Sequence, residues 1–235
     1  MLGPVEPSGS GAPALVACGH GTRDPAGRGA VDALRDDVAA SRSEVRVVEA
    51  YVDVQEPALP DVLRRLDSAV VVPLLLSAGF HVHVDIARAV EAAGADVRAA
   101  RPLGPDPALV DVLALRLGDA GLDGDHAVLL AAAGSSDPRA VADVERTAMD
   151  LAARLGRAVT PAYASAVEPR VESAVAELRT AGRRVAVASY LLAPGHFQGR
   201  LRATGADVIA APLLPHPEIT ALVLRRYDEA LSPPR

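Results

Sequence analysis

Short apolar runs alternate along this chain with stretches in which apolar residues recur every three or four positions. Residues 14–18 form an unbroken apolar run that stops at glycine, and residues 31–38 then set Val31, Leu34 and Val38 on one helical face. Residues 45–52 read as a second strand. Pro57 is placed to open the next helix, in which Leu59, Val62, Leu63 and Leu66 share a face. Residues 70–76 are apolar nearly throughout, as in a parallel strand covered on both sides. Val82, Ile86 and Val90, at spacing four, predict a helix after it. A shorter strand over residues 96–100 leads to Asp106-Pro107, a cap and first-turn pair for a helix carrying Val110, Leu113 and Leu117. Strand and helix alternating in this way predict an α/β fold built on an open, mainly parallel four-stranded sheet flanked by helices.

A Gly/Asp-rich stretch, residues 118–125, reads as a linker, and the pattern then repeats. LVACGHGTRDP (15–25) is answered by LLAAAGSSDP (129–138), and EAYVDVQEP (49–57) by PAYASAVEP (161–169). VVVPLLLSAGF (70–80) is answered by VAVASYLLAPGH (185–196), and DVRAARPLGPDP (96–107) by DVIAAPLLPHP (207–217). Four matches in the same order imply two similar domains made by internal duplication. The division expected is a flexible tail at 1–12, a first domain at 13–120 and a second at 121–235.

Ligands of open parallel sheets bind beyond the carboxyl ends of the strands. In the first half those ends carry Gly19-His20-Gly21, then Asp53, then Ser77-Ala78-Gly79-Phe80-His81. Two imidazoles and a carboxylate suit first-row divalent ions such as Co²⁺, Fe²⁺ and Ni²⁺. Three protein ligands leave coordination positions open for a reactant, and the glycines beside His20 let a bulky ligand approach the backbone. The second half offers Ala133-Gly134-Ser135 and Ser165 at the matching places, with His196 near the place of His81 but shifted by about one position. One site is therefore expected, in the first half, with the second half as a degenerate copy serving as a lid or wall. His83 reads as a surface residue; His126, in the linker, and His216, before a helix, read as structural.

Composition removes several alternatives. The only cysteine is Cys18, so an internal disulfide, a CxxC zinc site and an iron–sulfur cluster are excluded. All 24 basic residues are arginine, which excludes a Schiff-base or P-loop lysine. A net charge of -6 argues against a nucleic-acid partner. Aromatic residues are 3% of the chain, so aliphatic side chains must fill the core. The first dozen residues lack the charged and apolar regions of a signal peptide, and no run approaches the ~18 apolar residues of a membrane helix. A cytoplasmic chain, with no membrane partner, is the expectation.

GHGTRDP after the first strand, YVDVQEP after the second and VVPLLLSAGFHVHVDI after the third resemble the sirohydrochlorin chelatases of the class II chelatase group, in their long, duplicated form. The resemblance implies ATP-independent insertion of Co²⁺ or Fe²⁺ into sirohydrochlorin, for cobalamin or sirohaem synthesis, with no organic cofactor. It assigns His20 as a metal ligand that also accepts a proton and His81 as a second metal ligand, both catalytic. Leu76, Ser77, Ala78, Gly79 and Phe80 match the loop that lines the tetrapyrrole. Asp53 falls where several members carry Glu, and Phe80 where Gly is common. Neutral imidazole, titrating near ~6.5, can take a pyrrole proton at neutral pH. The substrate carries eight carboxylates, and Arg23 and Arg28, read as lying in the loop before helix one, are the expected partners for them. Duplication within one chain implies a monomer or weak homo-oligomer. Two alternatives stand beside this reading: a non-catalytic metal or tetrapyrrole carrier, which would use the same ligands, and a histidine phosphatase, against which Gly19 stands where the phosphate-binding Arg belongs.

Overall fold

The computed structural model describes residues 12–79, 81–94 and 96–232. The first half runs β1 (Ala14–Gly19), α1 (Pro25–Ser41), β2 (Val47–Tyr51), α2 (Leu59–Leu63), β3 (Ala69–Pro73), a π-helical segment (His81–Ile86) continuing into α3 (Ala87–Ala93), β4 (Val97–Ala99) and α4 (Pro107–Asp119). The second half repeats it with β5 (His126–Ala132), α5 (Pro138–Leu155), β6 (Val159–Tyr163), α6 (Val171–Thr180), β7 (Arg184–Tyr190), α7 (His196–Arg202), β8 (Val208–Ile209) and α8 (Pro217–Leu231). Each half holds one four-stranded sheet, in the orders β2-β1-β3-β4 and β6-β5-β7-β8, and every pairing is parallel. The α/β architecture with two like sheets is the one expected.

Period two in the strands decides what each sheet face covers. Leu15 and Ala17 of β1 join a large buried cluster shared by both sheets, whereas Ala14, Val16 and Cys18 point to the opposite face, under α2 and α3. The second sheet divides likewise, with Val128 and Leu130 in the shared cluster and Leu129 and Ala131 under α6 and α7. Helices α1, α4, α5 and α8 fill the space between the sheets through Leu34, Leu113, Leu151 and Leu222, among others. The two halves thus bury their largest apolar surfaces against each other.

A polar bolt crosses the same layer. Arg226 of α8 is fully buried and donates to the carbonyl oxygens of Pro102 and Leu103 and to Asp106 Oδ2, each at 2.8 Å. Asp106 also accepts from Ala108 N at 3.0 Å, capping α4, and from Arg225 at 2.6 Å. Burial alone would raise the Asp106 pKa, but the Ala108 amide and the two guanidinium groups outweigh it and hold the carboxyl below its usual range.

Several local expectations differ from the structure. Helix α1 begins at Pro25, well before residue 31, because Asp24 caps it by accepting from Ala26 N and Gly27 N. Pro57 lies outside α2, following a cis peptide after Glu56, and Leu59 starts that helix. Strand β2 is shorter than the expected 45–52, and β3 begins one residue before the apolar run 70–76 and ends at Pro73. The stretch after β3 opens as a π-helix, which the four-residue spacing does not distinguish from an α-helix. Helix α4 continues through Asp119, so the connection narrows to residues 120–125. His126 is not in it: the residue is buried at the start of β5, its Nδ1 2.7 Å from Asp123 Oδ1. His216 is structural as expected, capping α8 by accepting from Glu218 N at 3.2 Å. The expected tail lies outside the described residues, apart from residue 12. Among the described residues no helix is long and apolar enough to cross a membrane.

Backbone geometry fixes the register between the halves. Gly21 and Gly134 share a left-handed conformation, φ 98° and 95°, and so do Val54 and Ala166, φ 50° and 67°. At Gly21 a Cβ would stand 2.8 Å from the Asp53 carbonyl oxygen, and at Gly134 it would strike the Ser165 carbonyl. His20 therefore corresponds to Ala133, not to Gly134, a one-residue correction to the motif comparison.

Candidate functional site

The carboxyl ends of both sheets open onto one cavity of about 940 Å³ between the halves. The first half contributes the turn after β1 with His20, Thr22 and Arg23, the first turns of α1 with Gly27, Arg28 and Val31, and Leu74–Leu76, Ser77 and Gly79 after β3. The second half contributes residues 132–136, Val141 and Val144 of α5, Tyr163, Tyr190 and residues 191–198. Two close approaches hold the walls together. Gly27 leaves room for Pro194, whose carbonyl oxygen would lie 2.7 Å from a Cβ there, and Gly79 sits against Ala140 and Ser135. The turn after the first strand of each half thus faces the turn after the third strand of the other.

His20 is exposed and lines the cavity. Its backbone carbonyl accepts from Asp53 N at 3.2 Å, which brings Asp53 alongside it. The Asp53 carboxylate itself accepts from Val54 N at 2.8 Å, and the cavity wall at this point is formed by Val54 and Gln55. Leu76, Ser77 and Gly79 line the wall, while Ala78 is tied back through its amide, which donates to Asp143 Oδ2 at 2.7 Å. Phe80 lies outside the described residues, as does the side chain of His81; the His81 backbone opens the π-helical segment. Among the described residues no group of three His, Cys, Asp or Glu side chains is assembled for a metal.

Arg23 and Arg28 are both exposed and both line the cavity. Arg28 is not in the loop before the helix but in the first turn of α1, and its Nε donates to Thr22 O at 2.9 Å. The amides of that turn are already engaged by Asp24, so anion attraction here falls to the guanidinium groups rather than to the helix end. Cys18 is no competitor for a metal. It is fully buried on the far face of the sheet, and burial pushes its thiol up to about 12.

Polar residues given no site role in the sequence reading also shape this cavity. Gln55 accepts from Thr22 N at 2.6 Å and fixes the turn that carries His20. Tyr190, at the end of β7, donates its hydroxyl to Leu76 O at 2.7 Å, and burial pushes that phenol up, keeping it a donor. His196 and Phe197, in contact with ring centroids 5.5 Å apart, bring second-half aromatic surface to the same space. The signal for His196 was present, since the repeat places it after a third strand, where a ligand would meet it; Tyr190 ends β7 and reaches across to the other half, which no pattern within one half reveals.

Two like parallel sheets in one chain, closing over one cavity at their carboxyl ends, define an internally duplicated chelatase fold. The CbiX family model matches residues 14–120 and again residues 127–230, and the chain belongs to that family. Among solved structures it is similar to SirB from Bacillus subtilis with Fe³⁺, at 23% identity and a TM-score of 0.79, over 92% of this chain and 94% of that one. It is also similar to the sirohydrochlorin chelatase SirB from Bacillus subtilis subspecies spizizenii in complex with cobalt, at 24% identity and a TM-score of 0.75, covering 94% and 96%. CbiX, described as the terminal enzyme for biosynthesis of siroheme in denitrifying bacteria, matches at 23% identity and a TM-score of 0.68, covering 94% and 100%. No curated protein matches the sequence.

Proposed function

We propose that the protein is a sirohydrochlorin chelatase, inserting Co²⁺ or Fe²⁺ into the tetrapyrrole with release of two protons and without ATP. The observation that carries this reading is the shared cavity, lined by His20 on its first-half wall and by Ala133 at the matching place opposite. Its volume falls within the ~300–1,000 Å³ range of small-molecule sites. The Leu74–Leu76 wall on one side and Val141, Val144 and Leu191 on the other form an apolar slot suited to a flat macrocycle. Family membership and the metal-bound SirB neighbours point the same way.

In this reading His20 and His81 hold the metal, with Asp53 as the adjacent carboxylate. Nitrogen and oxygen donors bind a first-row ion without the tenacity of thiolates, so the ion can pass to four ring nitrogens. His20 accepts a pyrrole proton as the metal enters. Arg23 and Arg28 meet the peripheral carboxylates. The test is anaerobic insertion of each ion into sirohydrochlorin, followed by absorbance. Turnover above background establishes the chelatase, and the faster ion indicates the pathway; binding without turnover would instead make the protein a carrier.

The arginines give a separate expectation. With both replaced by Ala, KM for sirohydrochlorin should rise about three- to tenfold while kcat changes little, since exposed charges contribute modest and uniform binding. An unchanged KM would remove Arg23 and Arg28 from the substrate site.

A further inference from the structure

The two halves do not treat their third-strand loops alike. The strand registers match Cys18 with Pro73 and Ala131 with Ser189, so Leu74 corresponds to Tyr190 and Leu76 to Leu192. In the second half the Leu192 carbonyl accepts from Leu214 N, in its own half, at 2.9 Å. In the first half position 104 is glycine where the second has Leu214, and its amide turns to Leu75 O at 3.5 Å. The Leu76 carbonyl accepts instead from Tyr190 of the opposite half. Glycine is required for this arrangement: a Cβ at position 104 would collide with both the Leu76 oxygen and the Tyr190 hydroxyl.

A second bond falls two residues on, where Ala78 N donates to Asp143 Oδ2. Its counterpart is chemically impossible. Asp143 is the sixth residue of α5 and Ala30 the sixth of α1, while Pro194 stands in the place of Ala78 and has no amide hydrogen. Leu74, at the place of Tyr190, has no hydroxyl. Thr147 completes the one-sided set, its Oγ1 3.4 Å from the Tyr190 oxygen.

We propose that Tyr190 and Asp143 are positioning residues through which the second half holds the Leu76–Gly79 segment of the cavity wall in register with His20. The proposal rests on the chelatase reading for its kinetic consequence. The segment lines the cavity, and its two ties, at the Leu76 carbonyl and the Ala78 amide, fix its path along that wall.

The experiment compares Tyr190→Phe, Asp143→Ala and Asp143→Asn with a control, Tyr227→Phe. Tyr227 is also buried and also donates to a backbone carbonyl, Pro13 O at 2.6 Å, but it is not part of the cavity wall. Tyr190→Phe and Asp143→Ala should each speed amide exchange at Ala78 and lower kcat for insertion by about three- to tenfold, the worth of one such bond. Asp143→Asn, which keeps an acceptor oxygen, should recover most of the loss. Tyr227→Phe should lower the urea midpoint comparably and leave kcat unchanged. The proposal is overturned if Tyr190→Phe tracks the control in every readout, or if exchange at Ala78 rises with kcat intact. Should the wild type prove inert, the chelatase reading fails, and titration with Co²⁺ alone decides the positioning claim. Weaker binding by Tyr190→Phe than by Tyr227→Phe upholds it, and equal binding ends it.

Discussion

His20→Ala should lose metal insertion by about 10²- to 10⁴-fold, the usual worth of a positioned proton-transfer group, with the metal-ligand loss added to it. The fold should survive, because His20 is exposed and the turn around it is fixed by other groups, namely Gln55 on Thr22 N and the Gly21 approach to Asp53. Sirohydrochlorin affinity should change far less than kcat, since the apolar walls and the arginines remain. The measurement is anaerobic insertion of Co²⁺ or Fe²⁺, with wild type and mutant run in parallel. A mutant rate within about tenfold of wild type would place proton acceptance on another residue, and His196, on the opposite wall, would be examined next.

Arg226→Ala should be the most damaging single change to stability, costing about 3–5 kcal/mol, because it leaves Asp106 charged and buried and strips two carbonyls of their donor. Urea unfolding of the full chain measures it. Removing both partners, as Arg226→Met with Asp106→Leu, should restore much of the loss, although the α4 cap would still be missing. The pH dependence has a definite sign. Asp106 has its folded pKa depressed, so the stability it confers is fully present above its unfolded pKa of ~3.9 and disappears as pH falls through the lower folded value. Wild type should therefore shed stability below about pH 4 more steeply than Asp106→Asn. Parallel slopes for the two proteins would mean that other carboxylates govern acid unfolding.

Much of the architecture could be read from the chain because duplication states it twice. A single apolar run such as residues 70–76 is ambiguous between strand and buried helix, but its recurrence at 185–192 in the same order among other motifs settles the alternation. The α1 start was legible and was missed: Asp24-Pro25 is the same cap and first-turn pair as Asp106-Pro107, and both cap their helices. The π-helical turn was not legible, since Val82, Ile86 and Val90 keep the spacing of an α-helix. Within the site, His20, Arg23, Arg28 and the Leu76–Gly79 segment follow from one rule about strand ends. Asp143 and Tyr190 do not, because periodicity describes what one sheet buries and says nothing of how two sheets meet.

The one-sided tie on Leu76 has a bearing on why such a fold would be joined into a single chain. In a two-fold dimer of half-length subunits, every position appears twice with the same side chain. Leu74 and Tyr190 would be one residue there, as would Gly104 and Leu214, or Ala78 and Pro194. A phenol that braces the neighbour's loop would have to occupy its own loop as well, and the proline that cannot donate would exclude the amide that must. Fusion lifts that restriction. Once the copies are covalently linked, one can lose its imidazole and gain a hydroxyl and a carboxylate while the other keeps the reactive groups, a division of labour that symmetry forbids.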